Sequence, residues 1–401
     1  MLRYRYDNER REIFTLTTIT WNQQVVKRNN KSLVLQMIID KEPISRADIA
    51  QVTGLNKGTV SSMVNELLEE ELIYESGPGE SSGGRRPVLL HFNKVAGYAI
   101  GIDIGVNYIL SVLTDLKGNI IIEKNQLIQD SSFPAVKELV KTAIHSLLHE
   151  MPQSKYGVVG VGLGVAGIVD KEGMVLLAPN LGWRYVTLKA EIEEVFKLPV
   201  IIENEANAGA YAEKQFGAGQ HHENIIYISA GIGIGVGIIL NGELYQGNNG
   251  YSGEFGHMII DVDGRPCSCG SRGCWEMYAS EHTLLKMTKD KAATLESLIQ
   301  LAEKDDKDTL ELFEEIGCYL GYGLNNIINT FNPEQVIIGN RLAKAKKWLE
   351  APIRRTIKKH TLSFHQNEME IYFSTLSIYS SALGVAAFAV ENFIKDIVIS
   401  Q

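Results

Sequence analysis

Residues 97–124 read "GYAIGIDIGVNYILSVLTDLKGNIIIEK", and residues 224–247 read "NIIYISAGIGIGVGIILNGELYQG". Each stretch is an apolar strand, a glycine-bearing turn, a second apolar strand, a tight turn and a third strand. The tight turns, Lys117-Gly118-Asn119 and Asn241-Gly242, carry residues that tolerate positive φ. The two copies lie about 127 residues apart, and each is followed by helical patterns. A repeat of this size calls for two similar α/β lobes around a cleft.

Other polar groups fall where such a cleft would be. "GVGLGVAGIVD" (160–170), "APNLGW" (178–183) and "IIENEANAGAYAE" (201–213) are candidates. The last is a strand running into an Ala-rich helix with Glu203, Asn204 and Glu205 at the junction, the usual place for a ligand in an open α/β sheet. The glycine turns, Asp103 to Gly105 and Gly231, Gly233, Gly235, suit close approach of backbone N–H groups to a phosphate. The alternative is that they only permit tight β-turns.

The chain ahead of the repeat is a different object. Residues 1–91 hold twelve basic and twelve acidic side chains, so the whole net charge of −9 lies beyond them. Within this segment, "ISRADIAQVTGLNKGTVSSMVNELLEEELI" has Ser45 as N-cap of a helix over 46–52, Gly54 as a turn and Asn56 as cap of a second helix. Val60, Val64, Leu67 and Leu68 form the apolar face of that second helix. Ala50, Gly54 and Val60 have the spacing of two closely crossing helices. An amphipathic helix precedes them at 30–43, and strand, glycine-rich loop and strand follow. The sum is a winged helix-turn-helix. Asn56, Lys57, Thr59, Ser61, Ser62 and Asn65 are the small polar residues left for phosphates and base edges, and Arg85 and Arg86 sit near the wing tip. The expected partner is double-stranded DNA.

Three of the four cysteines crowd into "GHMIIDVDGRPCSCGSRGCWE", at 267, 269 and 274. With His257 upstream, beyond a predicted strand "MIIDV" and a turn at Asp263-Gly264, they form a Cys3His set. That set suits structural zinc with no open coordination position. The fourth, Cys318, lies on an apolar helical pattern and is expected to be buried. No run of about 18 apolar residues suggests a membrane span, and the polar start of the chain shows no secretory signal. The expectation is a cytoplasmic protein, where disulfides are disfavoured.

"GIDIG" (101–105), "ENEANAGA" (203–210), "SGEFGHM" (252–258) and "CSCGSRGCWE" (267–276) together resemble the ROK family of repressors and sugar kinases. The resemblance implies an actin/hexokinase-like (ribonuclease H-like) fold behind the winged helix. It also implies a sugar site at Asn180, Asn204, Glu205, Glu254, His257 and Glu276, with His257 also holding the metal. "ISRADIAQVTGLNKGTVSSMVNELLEEELIYE", "SSGGRRPV" and "NIIYISAGIGIGVGIILNGELY" are similar to the xylose-responsive repressors of Gram-positive bacteria. That likeness implies D-xylose as effector. Half-site logic adds a homodimer on a palindromic operator.

Two departures from the family's kinases bear on catalysis. Glu205 stands where those enzymes have an aspartate base, and a shift of about 1 Å in a reacting group can cost roughly a hundredfold in rate. The first turn is Gly105-Val106-Asn107 in place of Gly-Gly-Thr. A non-enzymatic, sugar-responsive repressor is therefore expected, with an ATP-dependent sugar kinase carrying a DNA-binding domain as the alternative. The expected organisation is an extension of unassigned role (1–20), the winged helix (21–92), a first lobe (93–205) with the helix at 380–401 packing back on it, and a second lobe (206–379) with the zinc loop and the dimerisation region.

Overall fold

The computed structural model describes residues 23–78, 87–366 and 369–399. Arg85, Arg86 and the 1–20 extension lie outside the described residues. Two compact units emerge, one running to Phe92 and including Asp396–Gln401, the other Asn93–Lys395.

The first unit contains α1 (Gln23–Lys41), β1 (Ile44–Ser45), α2 (Arg46–Thr53), α3 (Lys57–Glu69), β2 (Ile73–Pro78) and β3 (Val88–Phe92). The strands form a sheet in the order β1-β3-β2. Ser45 caps α2 in a reciprocal box with Asp48, and Gly54 ends it at φ +73 in the left-handed region. Val34, Leu35, Ile38, Ile49, Val60, Val64 and Leu67 close the core.

Three local readings are corrected. The first helix runs from Gln23, the first described residue, and not from residue 30, and a Lys27–Glu66 ion pair joins its polar first turns to α3. On α3 the buried set is Val60, Met63, Val64 and Leu67, the i, i+3, i+4, i+7 face, and Leu68 is only half-buried at its edge. On α2 the residue that meets the core is Ile49, while Ala50 is half-buried.

The second unit is built from the repeat. Its first sheet comprises β4 (Tyr98–Ile104), β5 (Tyr108–Asp115), β6 (Ile120–Leu127), β7 (Val158–Val165) and β11 (Val200–Asn204), in the order β11-β7-β4-β5-β6. The second comprises β12 (Ile225–Ala230), β13 (Ile234–Leu240), β14 (Glu243–Leu244), β15 (Gln335–Gly339) and β16 (Glu370–Phe373), in the order β14-β13-β12-β15-β16. In both sheets three antiparallel strands are followed by two added parallel to the first. The repeat read in the sequence is thus a repeat of topology.

Between β7 and β11 lie a small sheet of β8 (Ile168–Val169), β9 (Val175–Ala178) and β10 (Trp183–Val186), and helix α5 (Leu188–Phe196). Helix α4 (Phe133–Glu150) links β6 to β7, and α6 (Glu205–Phe216) follows β11. Between β14 and β15 the second lobe inserts the cysteine loop, α7 (Glu276–Ala279), α8 (Glu281–Met287), α9 (Leu295–Ala302) and α10 (Lys307–Phe331). Helices α11 (Lys346–His360) and α12 (Ser363–Gln366) precede β16, and α13 (Ser380–Ile399) ends the fold. Ala382, Val385 and Ala386 of α13 lie against Gly101 and Gly162, where the absence of side chains lets the helix backbone reach the first sheet. The apolar length of α13 is explained by that packing.

Two further expectations fail here. "MIIDV" is not a strand: only an isolated bridge, Ile259 to Cys274, forms, and Ile259 and Val262 are exposed. Alternating apolar residues imitated a strand where the chain is shaped by the loop it closes. Cys318 is half-buried, its thiol facing the Glu314 carboxylate on the solvent side of α10.

Candidate functional site

The six residues expected to meet a sugar line one cavity between the lobes, of about 140 Å³. Asn180 sits in the turn between β9 and β10, and Asn204 and Glu205 at the β11–α6 junction. Glu254, His257 and Glu276 come from the second lobe's insertion. Both glycine turns, through Gly105 and Gly233, reach the same cavity.

Local structure explains how the second-lobe groups arrive there. The segment "SGEFGHM" lies directly on β13. A side-chain carbon on Gly253 would come 2.1 Å from the Val236 carbonyl oxygen, and one on Gly256 would come 2.1 Å from that of Ile234. Only glycine at both positions allows that contact, and it turns Glu254 and His257 toward the cleft. Beyond them Trp275, fully buried, donates from Nε1 to the Tyr319 carbonyl at 2.8 Å. This anchors the end of the cysteine loop to α10 and fixes Glu276, the first residue of α7.

On the first-lobe side, Asn204 spends its side-chain oxygen on the cap of α6, accepting from Ala206 N at 2.8 Å and Asn207 N at 3.1 Å. Its amide donates to the Gly167 carbonyl at 2.9 Å. Glu205 Oε1 accepts from Ser229 Oγ at 2.8 Å, and Asn340 Nδ2 donates to the same hydroxyl at 2.9 Å. Burial, then the charge of Asp103, push the Glu205 carboxyl up from 4.5 to about 7. Burial likewise raises Asp103 from 3.8 to about 6, against a hydrogen bond from Tyr108. Glu254 is also pushed up, first by burial. Asp103, Tyr108, Ser229, Asn340 and Arg341 were not assigned from sequence. Asp103 and Tyr108 lie within the first repeat copy, but nothing in their spacing marks them, and Asn340 and Arg341 come from the end of β15, far along the chain.

His257, Cys267, Cys269 and Cys274 converge, with donor atoms within 4.8 Å of one another. Cys269 and Cys274 sulfurs are 3.7 Å apart, and Cys267 Sγ lies 3.6 Å from His257 Nδ1. Metal–sulfur bonds of about 2.3 Å and metal–nitrogen bonds of about 2.0–2.1 Å in a tetrahedron require separations of about 3.8 and 3.5 Å, so the set fits zinc. Burial pushes the Cys267 and Cys274 thiols up, a cost that a divalent cation would remove by holding them as thiolates. His257 Nδ1 faces both Cys267 and the Glu276 carboxylate, 3.5 Å from Oε1, which also accepts from Cys267 Sγ at 3.0 Å, while Nε2 lies 3.9 Å from Glu254.

In the first unit, Asn56, Lys57, Ser62 and Asn65 are exposed along α3, and Thr59 and Ser61 are half-buried. Asn56 Oδ1 accepts from Thr59 N at 2.8 Å, so this carboxamide caps the helix whatever else it touches. Arg46 bridges Glu75 at 2.7 Å and reaches Asn65 Oδ1 at 3.5 Å, tying α2 to both the wing strand and α3.

Residues 28–74 match the winged helix-turn-helix DNA-binding family, and residues 99–392 match the ROK family. The chain belongs to the ROK family. Its relatives there include the xylose repressor of Bacillus subtilis (strain 168), 46% identical over 378 residues that cover 94% of this chain and 98% of the relative. Among solved structures, a ROK family transcriptional regulator homologous to the E. coli MLC protein superposes with a TM-score of 0.79 at 27% identity, covering 94% of this chain and 98% of that one. A ROK family glucokinase from Streptomyces griseus, solved with glucose and AMPPNP, gives a TM-score of 0.68 at 30% identity over 74% of this chain and 100% of its own. The ROK chain described here thus joins a DNA-binding winged helix to an actin/hexokinase-like module.

Proposed function

We propose that this ROK protein is a transcriptional repressor released from its operator by a sugar, with D-xylose as the effector. The observation that carries the reading is the union, in one chain, of a winged helix-turn-helix with an interlobe cavity where six predicted sugar-facing groups meet. Similarity to proteins named xylose repressors over almost the whole chain supports the choice of pentose.

The mechanism follows from which lobe each group belongs to. Asn180 and Asn204 approach a ligand from the first lobe, Glu254, His257 and Glu276 from the second, and Glu205 stands at the junction, its carboxylate held by Ser229 of β12. Carboxylates and amides pair with vicinal hydroxyls as acceptors and donors. A sugar bridging both sides favours the lobe arrangement in which all six reach it, and repression changes only insofar as that arrangement and the DNA-bound one differ in sugar affinity. Two copies of the chain would read a palindromic operator through α3 in successive major grooves, with Lys57, Thr59, Ser61, Ser62 and Asn65 along the DNA and the wing arginines Arg85 and Arg86 beside it. A zinc ion held by His257, Cys267, Cys269 and Cys274 would fix the wall that carries Glu276. The setting is the cytoplasm, where the DNA is.

Phosphoryl transfer is disfavoured by Glu205, which is one methylene longer than the aspartate base of the family's kinases and whose carboxylate already accepts from Ser229. The alternative, a sugar kinase with an appended DNA-binding domain, is favoured by the likeness to the Streptomyces griseus glucokinase.

The test is operator binding by fluorescence anisotropy on DNA selected from the host genome, with and without D-xylose, D-glucose and L-arabinose. D-xylose is expected to lower the affinity, and a complex indifferent to every sugar defeats induction. Sugar-dependent release of ADP from Mg-ATP by the wild-type protein would establish the kinase reading instead.

A further inference from the structure

The first glycine turn is filled from within the protein. Gly105 N donates to the Tyr108 carbonyl at 3.0 Å, so this amide closes the β4–β5 turn. A side-chain carbon on Gly105 would fall 2.4 Å from Tyr108 Cε1 and 2.6 Å from Cζ, which means that the ring packs directly against the glycine. Tyr108 Oη then donates to Asp103 Oδ2 at 2.7 Å. Asp103 is 1% exposed, and its other oxygen is buried on the side of Ser381, away from solvent. The turn and the tyrosine both line the interlobe cavity.

We propose that Tyr108 is a plug that separates sugar recognition from nucleotide and cation recognition in this cleft. Its ring takes the space over the glycine turn, and its hydroxyl caps the one carboxylate at the end of β4. The inference rests on the reading of the chain as a sugar-binding protein that does not transfer phosphate, and supplies the steric reason for it.

Binding a magnesium nucleotide needs two things on this side of the cleft. Phosphate oxygens need backbone N–H groups that are open and approachable. The accompanying cation needs carboxylate oxygens that water and phosphate can reach. Gly105 offers neither its amide nor its open face, and Asp103 faces a phenol. The second lobe does not compensate at Gly231, whose N–H donates within its own turn to the Gly233 carbonyl at 3.0 Å. For phosphate to approach, the ring must swing out, giving up a hydrogen bond to a carboxylate and its own packing on Gly105. The glycine that reads in the sequence as an invitation to phosphate is, in the fold, the residue that lets a tyrosine pack close.

The experiment compares the full-length wild-type protein with Tyr108→Ala and Tyr108→Phe, by titration calorimetry with Mg-ATP and with ATP in EDTA. Circular dichroism and thermal unfolding establish that each variant is folded; if Tyr108→Ala is not, Tyr108→Val, which keeps a strand-forming residue, replaces it. The truncated variant is expected to bind Mg-ATP at least about tenfold more tightly than wild type, with the gain lost in EDTA. Tyr108→Phe, which keeps the ring, is expected to stay near wild type. A folded truncation that binds no more tightly overturns the inference, as does a wild-type protein that already binds Mg-ATP as tightly as the truncation. A gain in Tyr108→Phe equal to that of the truncation overturns it too, since the ring would then block nothing. Sugar-dependent ADP release by wild type would defeat the underlying non-kinase reading. Failure of the variants alone leaves that reading standing.

Discussion

Glu205→Gln should stabilise the second unit in alkaline solution and do nothing in acid. In the folded protein the carboxyl titrates near 7, against 4.5 ordinarily, because burial and the Asp103 charge oppose its ionisation. Below 4.5 the group is neutral in both folded and unfolded chains and its titration costs nothing. Between 4.5 and 7 the folded state holds a proton that the unfolded state has released, so stability falls as pH rises. Above 7 the whole penalty is present. At 1.36 kcal/mol per pH unit the shift corresponds to roughly 3 kcal/mol, and because one side of Glu205 faces the cleft, solvent screening trims this to about 2 kcal/mol. Glutamine removes the charge and keeps both the length of the side chain and an oxygen to accept from Ser229 Oγ. For a unit of this size about 2 kcal/mol moves the melting temperature by about 3 °C. Differential scanning calorimetry at pH 4 and pH 8 measures it. The variant should melt with wild type at pH 4 and about 3 °C above it at pH 8. An equal gain at both pH values, or none at pH 8, would refute the claim that this carboxyl is held by a poorly solvated, like-charged surrounding.

Purified protein should carry one zinc per chain by plasma mass spectrometry, and Cys274→Ala should lose the ion and weaken D-xylose binding by at least about tenfold, as the wall holding His257 and Glu276 loosens. Full metal retention in that variant would contradict the ligand set. Lys57→Ala should weaken operator binding across sequences and lower the slope of log affinity against log salt by about one, and an unchanged slope would place Lys57 off the phosphate backbone. Lys31→Ala should destabilise the winged helix by about 3 kcal/mol in urea unfolding, because it breaks a mostly buried ion pair with Glu70 at 2.5 Å. Replacing both partners, as Lys31→Met with Glu70→Leu, should cost clearly less.

How much of this could be read along the chain depends on the range of each interaction. Ser45, Gly54 and Asn56 were legible because caps and left-handed turns are settled within four residues. The doubled strand–turn–strand text gave the shared topology of the two sheets, since a hairpin's register is fixed by its own turn. The cysteine spacing pointed to the His257, Cys267, Cys269 and Cys274 cluster that the fold assembles. The family likeness named six pocket residues, and the cavity gathers all six. What misled was periodicity without context. "MIIDV" alternates like a strand but follows the loop, and Leu68 looks like a core residue until Met63 takes the inner position.

Composition, caps and repeat therefore determined the kind of molecule: a winged helix in front of a duplicated α/β module with a cysteine-rich loop, because each of those signals is local or self-similar. Which groups meet in the cleft was decided only by the tertiary fold. Asn340 comes from the end of β15 to bind the hydroxyl that holds Glu205, and Glu254 is turned inward by two glycines lying on β13. The same "GIDIGVNY" text reads as an open phosphate turn in one dimension and as a closed one in three. The difference lies in where the Tyr108 ring rests, and that is set by packing between side chains that spacing alone does not specify.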